Sequence, residues 1–130
     1  MLVKPRILMK AYLSHFVNEL KREFRVVGPR KKGTQYVFDQ IHNPENLGLS
    51  YVTTILPPRK LFIPPSESIF SFDSAGEAIT TALDTQRVLV FGIHSCDLNG
   101  LLLLDRVFEQ DYPYPRYVER RRNSVIVAMT

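Results

Sequence analysis

Two runs, 88–93 and 124–129, are apolar almost throughout, and a leucine-rich stretch at 98–108 lies between them. A strand is apolar on both faces where a parallel sheet is covered on both sides. Strand, helix and strand of these lengths make a βαβ unit, with parallel pairing and a right-handed crossover. That dictates an α/β fold for the last third of the chain. It also brings the carboxyl ends of both strands to one edge of the sheet.

The remaining segments add a less regular half. Residues 6–24 read as an amphipathic helix, with Leu8, Ala11 or Tyr12, Phe16 and Leu20 at three-to-four spacing. Residues 24–29 and 34–38 read as strands on either side of a basic loop, 30–33, and so pair as a hairpin. The pairs Pro57-Pro58 and Pro64-Pro65 remove backbone donors and force extended neighbours, which implies a crossing segment or edge strand. Residues 66–72 continue as a strand, and 75–85 read as a helix with Ala78, Ile79 and Leu83 facing inward. A short polar helix is expected at 116–122. The expected class is α/β: a mixed sheet with a C-terminal parallel βαβ unit, an N-terminal helix and a hairpin. One domain, 1–130, accommodates helix and hairpin (1–56), the Pro-rich crossing (57–86) and the βαβ unit (87–130).

Composition narrows the function classes. A net charge of +4 is spread along the chain rather than gathered in a stripe, which does not make a nucleic-acid footprint. The single cysteine excludes an internal disulfide framework and fits a reducing, cytoplasmic setting. No segment reaches the ~20 apolar residues of a membrane span, and no signal peptide is recognisable. Gly92 and Gly100 do not form a dinucleotide fingerprint.

The chemistry-bearing residues gather where the first apolar strand meets the leucine-rich helix. His94, Ser95, Cys96 and Asp97 follow the strand directly. Open α/β sheets place ligands at the carboxyl ends of their strands, and free N–H groups with the helix dipole favour negative charge there. Asp97 reads as the helix N-cap, worth ~1 kcal/mol, although its own charge opposes a thiolate beside it. His94 reads either as a turn histidine facing solvent or a partner, or as a group that tunes the thiol. Nucleophile activation by His94 would also need an oxyanion site and an orienting group, and the sequence shows neither. The plain alternative is that Cys96 is a small packing residue at a tight turn.

Arg116, Arg120, Arg121 and Arg122 form the densest basic cluster. They read as a solvated helix face, as a docking patch for an acidic partner subunit, or as a counter-charge to a cluster of net negative charge. Tyr112, Tyr114 and Tyr117 beside them read as packing over the sheet edge rather than as a nucleic-acid stacking platform.

Three blocks carry a family resemblance. They are Pro57-Pro-Arg-Lys-Leu-Phe-Ile-Pro-Pro65 with Ile69-Phe-Ser-Phe72, Val88-Leu-Val-Phe-Gly-Ile-His-Ser-Cys-Asp-Leu98 with Leu104-Asp-Arg-Val-Phe108, and the stretch 111–127 from Asp111 to Val127. Together they resemble the N-terminal domain of the iron–sulfur beta subunits of cytoplasmic nickel–iron hydrogenases (sulfhydrogenases), a region also found in the A subunit of anaerobic sulfite reductase. The likeness covers residues 55–130 well and the N-terminal helix loosely.

The resemblance implies an electron-transfer subunit between a flavin-bearing partner and a catalytic subunit, with no catalysis by this domain itself. It also implies that Cys96 is one ligand of a 4Fe-4S cluster, with His94 and Asp97 beside it and further cysteines supplied soon after the last strand. Such a cluster takes about four thiolates, whereas this chain has one cysteine. Because the chain stops on an apolar strand, it reads as a fragment of a longer subunit whose continuation would emerge near Cys96. The competing expectation is a non-redox structural or interaction domain whose cysteine is incidental.

Overall fold

The computed structural model describes residues 7–76, 79–80 and 85–129. Strands β1 (Arg25–Lys32) and β2 (Gln35–Gln40) form the hairpin, turning at Gly33 and Thr34. Two short strands, β3 (Ser71–Phe72) and β4 (Ile79–Thr80), pair apart from the main sheet. Strand β5 (Val88–His94) precedes the long helix, and β6 (Ser124–Met129) follows it. The main sheet has the order β2-β1-β5-β6; β1, β5 and β6 run parallel and β2 antiparallel. The class is therefore α/β with a mixed sheet and a C-terminal parallel strand-helix-strand region, as the apolar runs dictated.

Helix α1 (Leu13–Leu20) covers one face of the sheet, α2 (Ser95–Asp105) covers the other, and α3 (Pro115–Arg122) leads into β6. Val17 packs with Val26, Ile41, Leu89 and Phe91 on the α1 side. Leu101 of α2 packs with Phe62, Val90, Ile93 and Tyr117 on the other side. Strand β5 thus feeds both cores, which is why its sequence has no polar face. Beyond Asp105 the helix widens into a π-helical turn, Arg106–Asp111.

Several expectations are corrected. The first helix is a 3-10 turn, Lys10–Tyr12, followed by α1, and its inward face is Leu13, Val17 and Leu20. Leu8, Tyr12 and Phe16 of the expected stripe are exposed, because Val17 fits between β1 and β5 and fixes the rotation of the helix. Arg30, Lys31 and Lys32 belong to β1 and not to a loop, since the two-residue turn lets the ladder run to Lys32.

Residues 58–61 coil into a 3-10 turn rather than extending. Pro58 occupies its first turn, where a fixed φ and a missing N–H cost nothing. The expected strand at 66–72 shrinks to Ser71–Phe72. The helix expected at 75–85 is overturned at Ile79 and Thr80, which pair with Phe72 and Ser71, and Ile79 is exposed. Gly76 at φ 72° turns the chain there and breaks helical continuity. Ala78 and Leu83 lie outside the described residues.

Candidate functional site

Parallel pairing with β6 holds β5 extended as far as His94, which faces Met129 in the register. Helix α2 starts at the next residue, so Cys96 lies in its first turn with an exposed side chain. The N-cap position falls to His94, at φ −74° and ψ 154° and with no side-chain capping bond. Asp97 is therefore a first-turn residue inside the helix and not its N-cap. The helix opens directly where the ladder ends, three residues earlier than an Asp97 cap would set it, and Asp97 still places its charge near the free N–H groups.

Gly92 shapes the approach to this edge. Its φ is 81°, and the β5–β6 register shifts between Phe91 and Ile93. A Cβ at this position would lie 2.7 Å from Leu49 Cδ2 and 3.3 Å from Pro29 Cδ. Both the dihedral and the crowding demand glycine. The resulting bulge re-aims the residues that follow it.

Tyr51 holds that bulge from the facing loop. Its phenol is buried, and the hydroxyl donates to the Gly92 carbonyl at 2.8 Å. Its own carbonyl oxygen lies 3.2 Å from His94 Nε2, and the two rings meet with centroids 4.3 Å apart. A carbonyl only accepts, so this contact assigns a proton to Nε2. Burial, reinforced by the charge of Asp97, pushes the Tyr51 phenol up to about 12. Nothing periodic in residues 49–56 singled out Tyr51; its one signal was an aromatic within a β-branched run.

These elements frame a pocket of roughly 290 Å³, lined by Tyr51, Val52, Thr53, Thr54, Pro57, His94, Cys96 and Asp97. The three residues expected at the site are thus together on one wall. Among the described residues no group of three or more His, Cys, Asp or Glu side chains could hold a metal ion. One thiol does not fit a whole four-iron cluster, and the residues present fit only a share of one.

The arginine cluster is largely committed within the chain. Arg120 bonds Glu67 and reaches the Phe62 carbonyl at 3.2 Å. Arg116 donates to the Ile69 carbonyl and lies 3.6 Å from Glu67. Arg121 grips Asp105 with two bonds of 2.8 Å, and Tyr117 donates to the same carboxylate at 2.6 Å. The Arg120 bond, with help from Tyr114, holds the Glu67 carboxyl below its ordinary range, and Arg121 does the same for Asp105. Arg122 alone of the four is exposed. Three of the four residues expected as a docking patch are thus engaged within the chain, where they tie α3 to the 62–69 segment and to α2.

Over 123 residues, 95% of its length, the chain is 36% identical to Sulfhydrogenase 2 subunit beta of Pyrococcus furiosus. The chain is thus similar, over most of its own length, to a hydrogenase beta subunit. It spans about a third of that relative, 36% of its length. No protein-family model and no solved structure matches it. The family resemblance carried by the three sequence blocks is therefore borne out. No helix among the described residues is long and apolar enough to cross a membrane.

Proposed function

We propose that this hydrogenase beta-subunit homologue is the N-terminal domain of an iron–sulfur electron-transfer subunit in a cytoplasmic oxidoreductase complex. Cys96 supplies one thiolate ligand of a 4Fe-4S cluster, and the other thiolates come from outside these 130 residues. His94 and Asp97 stand beside that ligand, and the domain itself is not a catalyst. Its partners are a flavin-bearing subunit and a catalytic subunit, of hydrogenase or anaerobic sulfite reductase type. Nucleic acid and membrane are not among them.

One observation carries this reading: the only thiol of the chain is exposed at the edge where β5 and β6 both finish. A packing cysteine would be buried, as free cysteines commonly are. The position suits a ligand completed by neighbouring polypeptide.

Anaerobic reconstitution of the intact subunit, with and without Cys96→Ser, tests it. The expected result is loss of about four iron atoms and of one reduced-state paramagnetic signal in the variant. Unchanged iron and an unchanged spectrum would remove Cys96 from the ligand set. That no group of three or more His, Cys, Asp or Glu side chains among the described residues could hold a metal ion favours a second reading, a non-redox interaction domain. On that reading the variant keeps its iron and still assembles with its partners.

A further inference from the structure

The two strands of the βαβ unit carry the same apolar pattern but differ in burial. Residues 89–93 of β5 are all buried, whereas no residue of β6 is, and Val125 and Ala128 are exposed. Position makes the difference: β5 lies between β1 and β6, and β6 is the last strand of the sheet. Val127 packs on the α1-side core, and Ile126 and Met129 on the α2 side, so each face of β6 is only partly covered. Among the described residues, no backbone bond reaches β6 from any strand but β5.

The opposite edge of the sheet is protected. Strand β2 carries Gln35, Asp39 and Gln40, and the Ile55 N–H donates to the Tyr36 carbonyl at 2.9 Å, so a loop bonds to it. Open edges are ordinarily blunted in such ways, by charge, by proline or by a covering segment. Strand β6, Ser-Val-Ile-Val-Ala-Met, has no charge and no proline. Helix α2 shows the same mismatch. Four consecutive leucines, 101–104, run around its circumference, the mark of a helix enclosed on every side. Yet Leu102 is 49% exposed and Leu103 62%, and Leu103 lies two turns from Cys96 on the same side of the helix.

We infer that β6 is an inner strand of a larger sheet, and that the strand added to it comes from the part of a hydrogenase-type beta subunit outside these 130 residues. The occupant rests on the electron-transfer reading above and on length. Only 36% of the Pyrococcus furiosus relative is matched, so most of a subunit of that kind remains to be placed against this domain. A strand beside β6 has one end at the edge where His94 faces Met129, next to Cys96. One polypeptide thereby completes the sheet and reaches the thiol it must complement. A second copy of this chain does not fit. Two-fold pairing of one edge strand with itself is antiparallel, which carries the two Cys96 residues to opposite ends of the pair.

The test is amide hydrogen exchange, read residue by residue in the 130-residue chain and in the intact subunit. In the chain alone, the β6 amides that point away from β5 should exchange like a frayed edge, and in the intact subunit they should slow ~100-fold or more. The β2 amides should keep their rates. Equal β6 rates in both samples would overturn the proposal. A slowing spread evenly over β2 and β6 would also overturn it, since that reports general stabilisation and not an added strand. So would β6 protection in the chain alone that grows with concentration alongside a sedimenting dimer, because the occupant would then be a second copy. The two readings fail separately. Iron lost from Cys96→Ser with wild-type β6 unprotected keeps the cluster and ends the strand addition; iron retained with β6 protected does the reverse.

Discussion

The Tyr51 carbonyl oxygen lies 3.2 Å from His94 Nε2, and its hydroxyl bonds the Gly92 carbonyl two residues earlier in the same strand. One side chain and its own backbone thereby clamp both sides of the bulge that ends β5. The clamp joins a loop with no regular structure to the strand that presents Cys96. The geometry of the site depends on this loop as much as on the βαβ unit.

Removing parts of the clamp separates its contributions. Tyr51→Phe loses one buried hydrogen bond and should cost ~1 kcal/mol. Tyr51→Ala also empties a core site and should cost ~3–5 kcal/mol. Urea unfolding curves measure both, and equal costs would mean that the hydroxyl, not the ring, dominates.

The same residue makes the fold sensitive to base. Its phenol titrates near 12 when folded, against an ordinary 10.0. The unfolded chain therefore loses that proton first as pH rises. The stabilisation is complete below pH 10 and disappears as pH climbs through 12. Tyr114 and Tyr117 are shifted the same way. Denaturation midpoints across this window should fall for the wild type and fall less for Tyr51→Phe.

Acid acts on the opposite groups. Glu67 and Asp105 are held below their ordinary values of 4.5 and 3.8. Their contribution is present above those values and is lost as pH falls through the lower folded ones. Stability should decline on acidification below pH 4.5, and Asp105→Asn should flatten part of that decline. At neutral pH the same substitution removes half of the Arg121 grip and should cost ~2–3 kcal/mol. Thermal melts at pH 3 and pH 7 provide the comparison.

Gly92→Ala forces a Cβ to 2.7 Å from Leu49 Cδ2 at a φ of 81°. Strain of this kind costs ~1–3 kcal/mol. Leu49 neighbours Tyr51 in the chain, so relief comes by moving the clamp loop. The expected outcome is a lower melting temperature together with a changed alkylation rate of Cys96. A lower melting temperature with an unaltered thiol would show that the loop and the site are independent.

The arginines of α3 should divide by partner and not by charge. Arg121→Ala breaks a bidentate pair and its contact over the Phe62 ring, for ~2–3 kcal/mol. Arg122→Ala touches an exposed side chain and should stay within ~0.5 kcal/mol. Chemical denaturation of the two variants side by side makes the test.

The parts legible beforehand were those written into short stretches of chain. Runs apolar on both faces read as parallel strands, so β5, α2 and β6 followed from local composition, as did the exit of β5 at His94 and Cys96; that β6 is an edge strand with Val125 exposed did not. The hairpin was readable from its turn, though its length was not, since the ladder extends through Arg30, Lys31 and Lys32 against residue-type preference. Ile79 was misread because a two-residue strand has no period to recognise.

Sequence alone determined the α/β class, the parallel βαβ unit and the placement of the one thiol at a strand-to-helix junction, because periodicity and backbone preferences act within a few residues. Tertiary structure decided which arginines are spent on Glu67 and Asp105, that Tyr51 locks His94, and that the loop carrying Tyr51 shares a pocket with Cys96. Those relationships link residues 16 to 53 positions apart, and only the packing of distant segments brings such partners together.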